Sequence, residues 1–148
     1  MKKEEVLTQV ISAVEGKSWE TAERNLAEDF TFTGAVPRPL GKEEWIKVNQ
    51  AIISGLPDLR YNLKQITQKG DNKLSAKVKL TGTHVYEMPS IFQGQKPIKS
   101  TGKKVELPEE EIEVTFKGDK ISGLDVKPVS DGGVRGILTQ LGAAASAS

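Results

Sequence analysis

The residues best suited to chemistry are gathered in Lys77-Val-Lys-Leu-Thr-Gly-Thr-His84-Val-Tyr86. Alternation along a strand puts Ala76, Val78, Leu80, Gly82, His84 and Tyr86 on one side, with Lys77, Lys79, Thr81 and Thr83 on the other. The lysine side faces water. The aliphatic side therefore faces the interior, and the single histidine of the chain arrives there beside a tyrosine, after a glycine that leaves room for another group. An imidazole and a phenol on a pocket wall can relay a proton or steady negative charge developing on an oxygen. A plainer role fits them too: an inward histidine with its hydrogen bonds satisfied inside the core, and a tyrosine that packs its ring and wets its hydroxyl.

Such a wall needs elements to hold it. Leu7, Val10, Ile11 and Val14 recur at helical spacing until Gly16, and Ser18 can cap a short second helix carrying Trp19, Ala22 and Leu26. Phe30-Thr-Phe32-Thr alternates as a brief strand ending at Gly34, and the glycines and prolines of residues 34–41 predict a loop. A third helix follows, with Trp45, Val48 or Asn49, and Ile52 on one face, and it stops near Gly55. Residues 61–67, 74–86, 105–116 and 120–126 then read as strands, and the short turns at 69–72 and 117–119 favour antiparallel neighbours. Residues 88–104, rich in Gly, Pro, Lys and Gln, form either a lid or a surface excursion. Val134, Ile137, Leu138 and Leu141 mark a last amphipathic helix, and residues 143–148 are expected to be a disordered tail.

Helices followed by a run of strands give an α+β fold in one domain, residues 1–142, with helices covering one face of a strongly curved antiparallel sheet. A sheet bent in this way encloses an apolar cavity. Phe30, Phe32, Trp45, Tyr61 and Gly82 are the candidate ligand-contacting residues of its wall. For each aromatic among them, plain core packing is the alternative.

Composition narrows the function classes. The chain has 148 residues, 21 of them basic and 20 acidic, with no basic stripe interleaved with aromatics, so nothing points to nucleic acid. No apolar run is long enough to span a bilayer, and the N-terminus lacks a secretory pattern, so a cytoplasmic location is expected. With no cysteine and one histidine, thiolate chemistry and His-rich metal sites are not expected, and no Gly-x-Ser-x-Gly elbow presents a serine nucleophile.

Phe32-Thr-Gly34, Pro37-x-Pro39-Leu-Gly41, Leu56-Pro57-Asp58, Leu80-Thr-Gly-Thr-His84, Thr101-Gly-Lys103 and Ile137-Leu-x-Gln-Leu-Gly142 occur in an order that resembles the SnoaL-like polyketide (ester) cyclases of the nuclear-transport-factor-2-like superfamily. The resemblance runs from about Val6 to Gly142. It implies a conical, cystatin-like α+β barrel around an apolar cavity, often a homodimer through the exposed sheet face. It also implies cofactor-free aldol ring closure by a late-strand carboxylate and a nearby histidine. Physically, a buried carboxylate of raised pKa takes a proton next to a carbonyl while a donor steadies the enolate.

This chain departs from the pattern at the motif that matters most. Where family members commonly carry Glu-His-Trp and then Asp, it reads Ser122-Gly-Leu-Asp125-Val126. Asp125 is the positional candidate for the base, with His84 and Tyr86 as its partners, although inward Leu124 and Val126 would turn Asp125 to solvent. Glu111 and Glu113 oppose Ile112, Val114 and Phe116 and are expected to face water, and Glu109-Glu110-Glu111 reads as a solvated edge or bend. Asp58 suits a turn-capping role.

Three functions remain in play. One is a cofactor-independent cyclase acting on a small, mostly apolar carbonyl compound. Another is a non-catalytic binder of a lipid-like or polyketide-like ligand in the same cup, and a third is an interaction protein that dimerises through its sheet. A carboxylate within the cavity separates the first from the others.

Overall fold

The computed structural model describes residues 2–91 and 95–142, so the tail expected at 143–148 lies outside the described residues. The order of elements is α1 (Lys3–Glu15), α2 (Trp19–Arg24), β1 (Leu26–Thr33), β2 (Leu40–Gly41), α3 (Lys42–Gly55), β3 (Lys64–Gly70), β4 (Lys73–Val78), β5 (Thr81–Thr83), β6 (Lys104–Glu106), β7 (Glu110–Lys117), β8 (Lys120–Val126) and α4 (Gly133–Gln140). No helix among the described residues is long and apolar enough to cross a membrane.

Helices α1 and α3 form for the predicted reason, whereas Ser18 gives α2 no side-chain cap and Leu26 belongs to β1 instead of α2. Val6, Leu7, Val10, Ile11 and Val14 of α1 are buried together, as are Trp45, Val48, Asn49 and Ile52 of α3, because a spacing of three and four residues brings them onto one face. Those faces lie against a six-stranded sheet ordered β2-β1-β8-β7-β4-β3. Its neighbours are antiparallel except β1 and β8, which run parallel. Register shifts interrupt the β1/β8, β3/β4 and β7/β8 ladders. Each such irregularity bends its strand, and together they curve the sheet around the helices.

The two longest predicted strands are each broken. Beyond Val78 the chain leaves β7: Lys79 donates to the Tyr61 carbonyl, Thr81 bridges to Arg60, and β5 pairs with β6 in a separate two-stranded ribbon. The 105–116 stretch parts at Leu107-Pro108-Glu109, where proline offers no amide to the ladder. Inward alternation survives the first break as far as His84 and then fails. The amides of Val85 and Tyr86 both donate to the Gly55 carbonyl, which two consecutive residues of an extended strand cannot do, and Tyr86 turns outward with 61% of its surface exposed.

Residues 88–91 and 95–104 fold back on the body of the protein. Met88 and Ile98 exchange backbone hydrogen bonds of 2.8 and 2.9 Å, and the Met88 side chain is buried against Gly55.

Candidate active site

The inner face of the sheet, α1, α3 and α4 enclose a small hollow of about 50 Å3, walled by Phe32, Trp45, Ile52, Leu80, Ile112, Leu124 and Val126. A wider hollow of about 310 Å3 lies beside it, between the Gly34-Ala-Val-Pro37 loop, Pro128-Val129 and the start of α4. Glu110 lines both. As the first residue of β7, it shares the inward phase with Ile112, Val114 and Phe116, and it is 3% exposed. One carboxyl oxygen, Oε1, accepts a 3.4 Å hydrogen bond from the Gly133 amide at the start of α4. The other, Oε2, is buried with no partner.

Burial pushes the Glu110 carboxyl above the ordinary carboxylate range, and the Gly133 amide counteracts this in part. The backbone has been shaped around the group. A Cβ on Gly132 would stand 3.0 Å from both Cδ and Oε2 of Glu110, and 2.8 Å from Val129 Cγ2. Gly34, with φ +94°, lets its loop close on β8, where a Cβ would fall 1.8 Å from the Val126 carbonyl oxygen.

Two further polar groups face the inner hollow. Asn49 is buried on α3, its amide Nδ2 donating to the Trp45 carbonyl at 2.9 Å, and the Tyr61 hydroxyl donates to Asn49 Oδ1. Burial, and secondarily the charge of Glu15, raises the Tyr61 hydroxyl above its usual pKa, so it stays a neutral donor. The remainder of the wall is apolar, which makes a carboxylate there a stronger base than the same group in water.

A family model for SnoaL-like polyketide cyclases matches residues 4–124, most of the chain. The chain belongs to that family. Solved structures agree in fold. IdmH of Streptomyces antibioticus superposes with a TM-score of 0.69 at 21% identity, covering 96% of this chain and 99% of that one. AclR of Streptomyces galilaeus gives 0.70 at 18% identity, covering 95% of this chain and 80% of AclR. A cystatin-fold protein of Novosphingobium aromaticivorans gives 0.63 at 15%, covering 85% and 97%. At these identities the likeness shows the fold alone. No curated protein matches the sequence significantly.

In this SnoaL-like chain the residues expected to work together are scattered. Asp125 is exposed: the bulge in β8 brings both Ile121 and Leu124 inward, Val126 follows in phase, and the Asp125 carboxylate turns out to accept a 2.7 Å hydrogen bond from Thr33. His84 is fully buried but lines neither hollow. Its Nδ1 lies 2.9 Å from Thr101 Oγ1 and 3.2 Å from the Thr101 amide nitrogen, and its Nε2 has no partner. Tyr86, on the surface, is in no position to assist it.

Of the expected wall residues, Phe32, Trp45 and Tyr61 do line the inner hollow. Phe30 sits behind them in the core, its ring centroid 5.4 Å from that of Trp45. Gly82 faces Leu56 and Asp58, with an added Cβ falling 2.9 Å from Leu56 Cδ2, and Asp58 caps the Thr83 amide at 2.7 Å.

Glu110 is the residue that the expectation of a solvated acidic run passed over. The neighbours do behave as expected: Glu109 pairs with Lys64 and Lys77, Glu111 with Lys127, and Glu113 with Lys73. The signal for Glu110 was present in the alternation, which places it in phase with Ile112, Val114 and Phe116.

Proposed function

We propose that this SnoaL-like protein catalyses proton abstraction beside a carbonyl, without a cofactor, on a small and mostly apolar compound, and that Glu110 is the base. The observation that carries this reading is Glu110 itself, a residue that lines a hollow with an apolar wall and whose buried Oε2 has no partner. An ionised Glu110 removes a proton from the carbon next to a ketone, and the C–H electron pair moves into the carbonyl to give an enolate. Asn49 keeps a second amide hydrogen beyond the one given to Trp45 and can steady the enolate oxygen with it, while the Tyr61 hydroxyl, donating to Asn49 Oδ1, holds that amide in place. For ring closure, the enolate carbon bonds to a second carbonyl carbon, and the resulting alkoxide takes back the proton from Glu110. The net change is an isomerisation that consumes no co-reactant.

Deuterium exchange at the carbons flanking the ketone of methyl 4-oxopentanoate, followed by proton NMR in D2O, tests the first step. The protein is expected to speed exchange, with kcat/KM rising with pH through a midpoint above the ordinary carboxylate range. Glu110→Gln is expected to lower the rate by about 10^2 to 10^4. Wild-type exchange no faster than an equal concentration of acetate ion would sink the proposal.

Carriage of a ligand without turnover is the second reading, and the separation of His84 and Asp125 from both hollows favours it. A ligand that survives purification in a protein with no exchange activity would decide for carriage.

A further inference from the structure

We infer that the outer hollow is an anchoring site for a carboxylate, with Arg135 as its specificity-determining residue, so that the substrate is a keto acid rather than a neutral carbonyl compound. This rests on the reading of Glu110 as the base and adds the class of molecule presented to it.

Among the described residues, the charged side chains lining the outer hollow are two: Glu110, at the start of β7, and Arg135, in the first turn of α4. Opposite charges in one cleft would be expected to meet. Here they do not, since Arg135 forms no salt bridge among the described residues, and Glu110 Oε2 has no hydrogen-bond partner. Many other lysines and arginines of the chain are paired: Arg38 with Glu44, Arg60 with Glu15, Lys79 with Glu106, Lys127 with Glu111. The unpaired cation and the residue with the unpartnered carboxyl oxygen both line the 310 Å3 hollow, and its remaining wall is largely Ala35, Val36, Pro37, Val129 and Leu138.

A molecule that completes this arrangement needs an acceptor for a guanidinium at one end and an acidic hydrogen for Glu110 further in. Arginine presents two parallel N–H groups that match a carboxylate. The negative charge of Glu110 in the same cleft disfavours a dianion more than a monoanion, which selects a carboxylate over a phosphate. Between the two ends the apolar wall suits a short hydrocarbon spacer. The inner hollow of about 50 Å3 admits a small apolar substituent past Glu110. A short keto acid has these parts in this order: carboxylate on Arg135, activated C–H at Glu110, alkyl end toward Trp45 and Phe32.

The test compares 4-oxopentanoate with its methyl ester in the deuterium-exchange assay, using wild-type protein, Arg135→Gln, Arg135→Lys and Glu110→Gln. Arg135 is exposed, so its variants are expected to keep the wild-type circular dichroism. Arg135→Gln should lower kcat/KM for the acid about tenfold or more, through KM, and leave the ester within about twofold; Arg135→Lys should recover part of the loss. Added salt should erode the preference for the acid in wild type, because the guanidinium is open to solvent.

If Glu110→Gln abolishes exchange while Arg135→Gln treats acid and ester alike, the anchoring site is refuted and the base stands. If wild type exchanges neither compound, the base is refuted. Titration calorimetry with 4-phenylbutanoate and its methyl ester then decides the anchor. Acid bound about tenfold tighter than ester, with the preference lost in Arg135→Gln, supports it; equal binding, or none, overturns it.

Discussion

Two corners of the molecule each bury a titratable side chain with one polar atom unpartnered, His84 Nε2 in one and Glu110 Oε2 in the other. Around His84 the chain packs closely and leaves the side chain fully buried. Its amide donates to the Lys103 carbonyl, its carbonyl accepts from Gly102, and Thr101 holds Nδ1, so the ring acts as a stud fastening residues 101–103 to the end of β5. Around Glu110 the chain has kept space instead: Gly132 forgoes a side chain beside the carboxyl, and two hollows meet there. Burial and polarity are common to both corners. Open volume beside the residue is what distinguishes a site from a fastening, and histidine, the residue type more suggestive of catalysis, is found in the fastening.

The strongest way to break this contrast is His84→Ala. It deletes the Thr101 bonds and leaves a void, and is expected to cost about 2–4 kcal/mol of stability in urea unfolding. Exchange activity per folded molecule should stay within about twofold. A variant of wild-type stability with no activity would reverse the roles of the two corners.

Next in size is Gly132→Ala, which presses on the Glu110 carboxyl from 3.0 Å. The carboxyl is the movable end of its side chain, so the fold should persist while exchange falls about tenfold from misplacement of the base. Loss of stability without loss of rate would mean that the glycine serves the loop and not the carboxyl.

A subtler difference is the pH dependence of stability. The folded-state pKa of Glu110 lies above its unfolded value, so its contribution to stability is fully present below the unfolded pKa and is lost as pH rises through the folded one. Glu110→Gln removes this dependence. The stability of the variant relative to wild type should climb with pH from the ordinary carboxylate range to the raised value and then level off, as read from urea midpoints at successive pH values. A flat difference would place the carboxyl in a water-like environment.

The smallest effects are expected from Tyr86→Ala and Asp125→Asn, within about 0.5 kcal/mol for these exposed residues and with no change in exchange rate. Either one abolishing exchange would restore the partnership that the sequence suggested.

The sequence by itself determined the class of fold, the buried faces and C-terminal ends of α1 and α3, the inward Ile112, Val114 and Phe116 of β7, and the family. These follow from periodicity and motif order, which local sterics and burial enforce on any chain with those residues. It also held Glu110 in plain alternation with Ile112, although two flanking glutamates disguised it as a solvated run. Tertiary structure alone decided the rest. Whether Asp125 faces in depends on a bulge in the pairing of β8 with β7, and whether Tyr86 follows His84 inward depends on the Gly55 carbonyl at the distant end of α3. Where empty space lies, and so which buried polar residue borders a hollow, is set by how α4 and the Gly34 loop settle against the sheet. Packing between elements far apart in the chain makes those choices, and no local pattern encodes them.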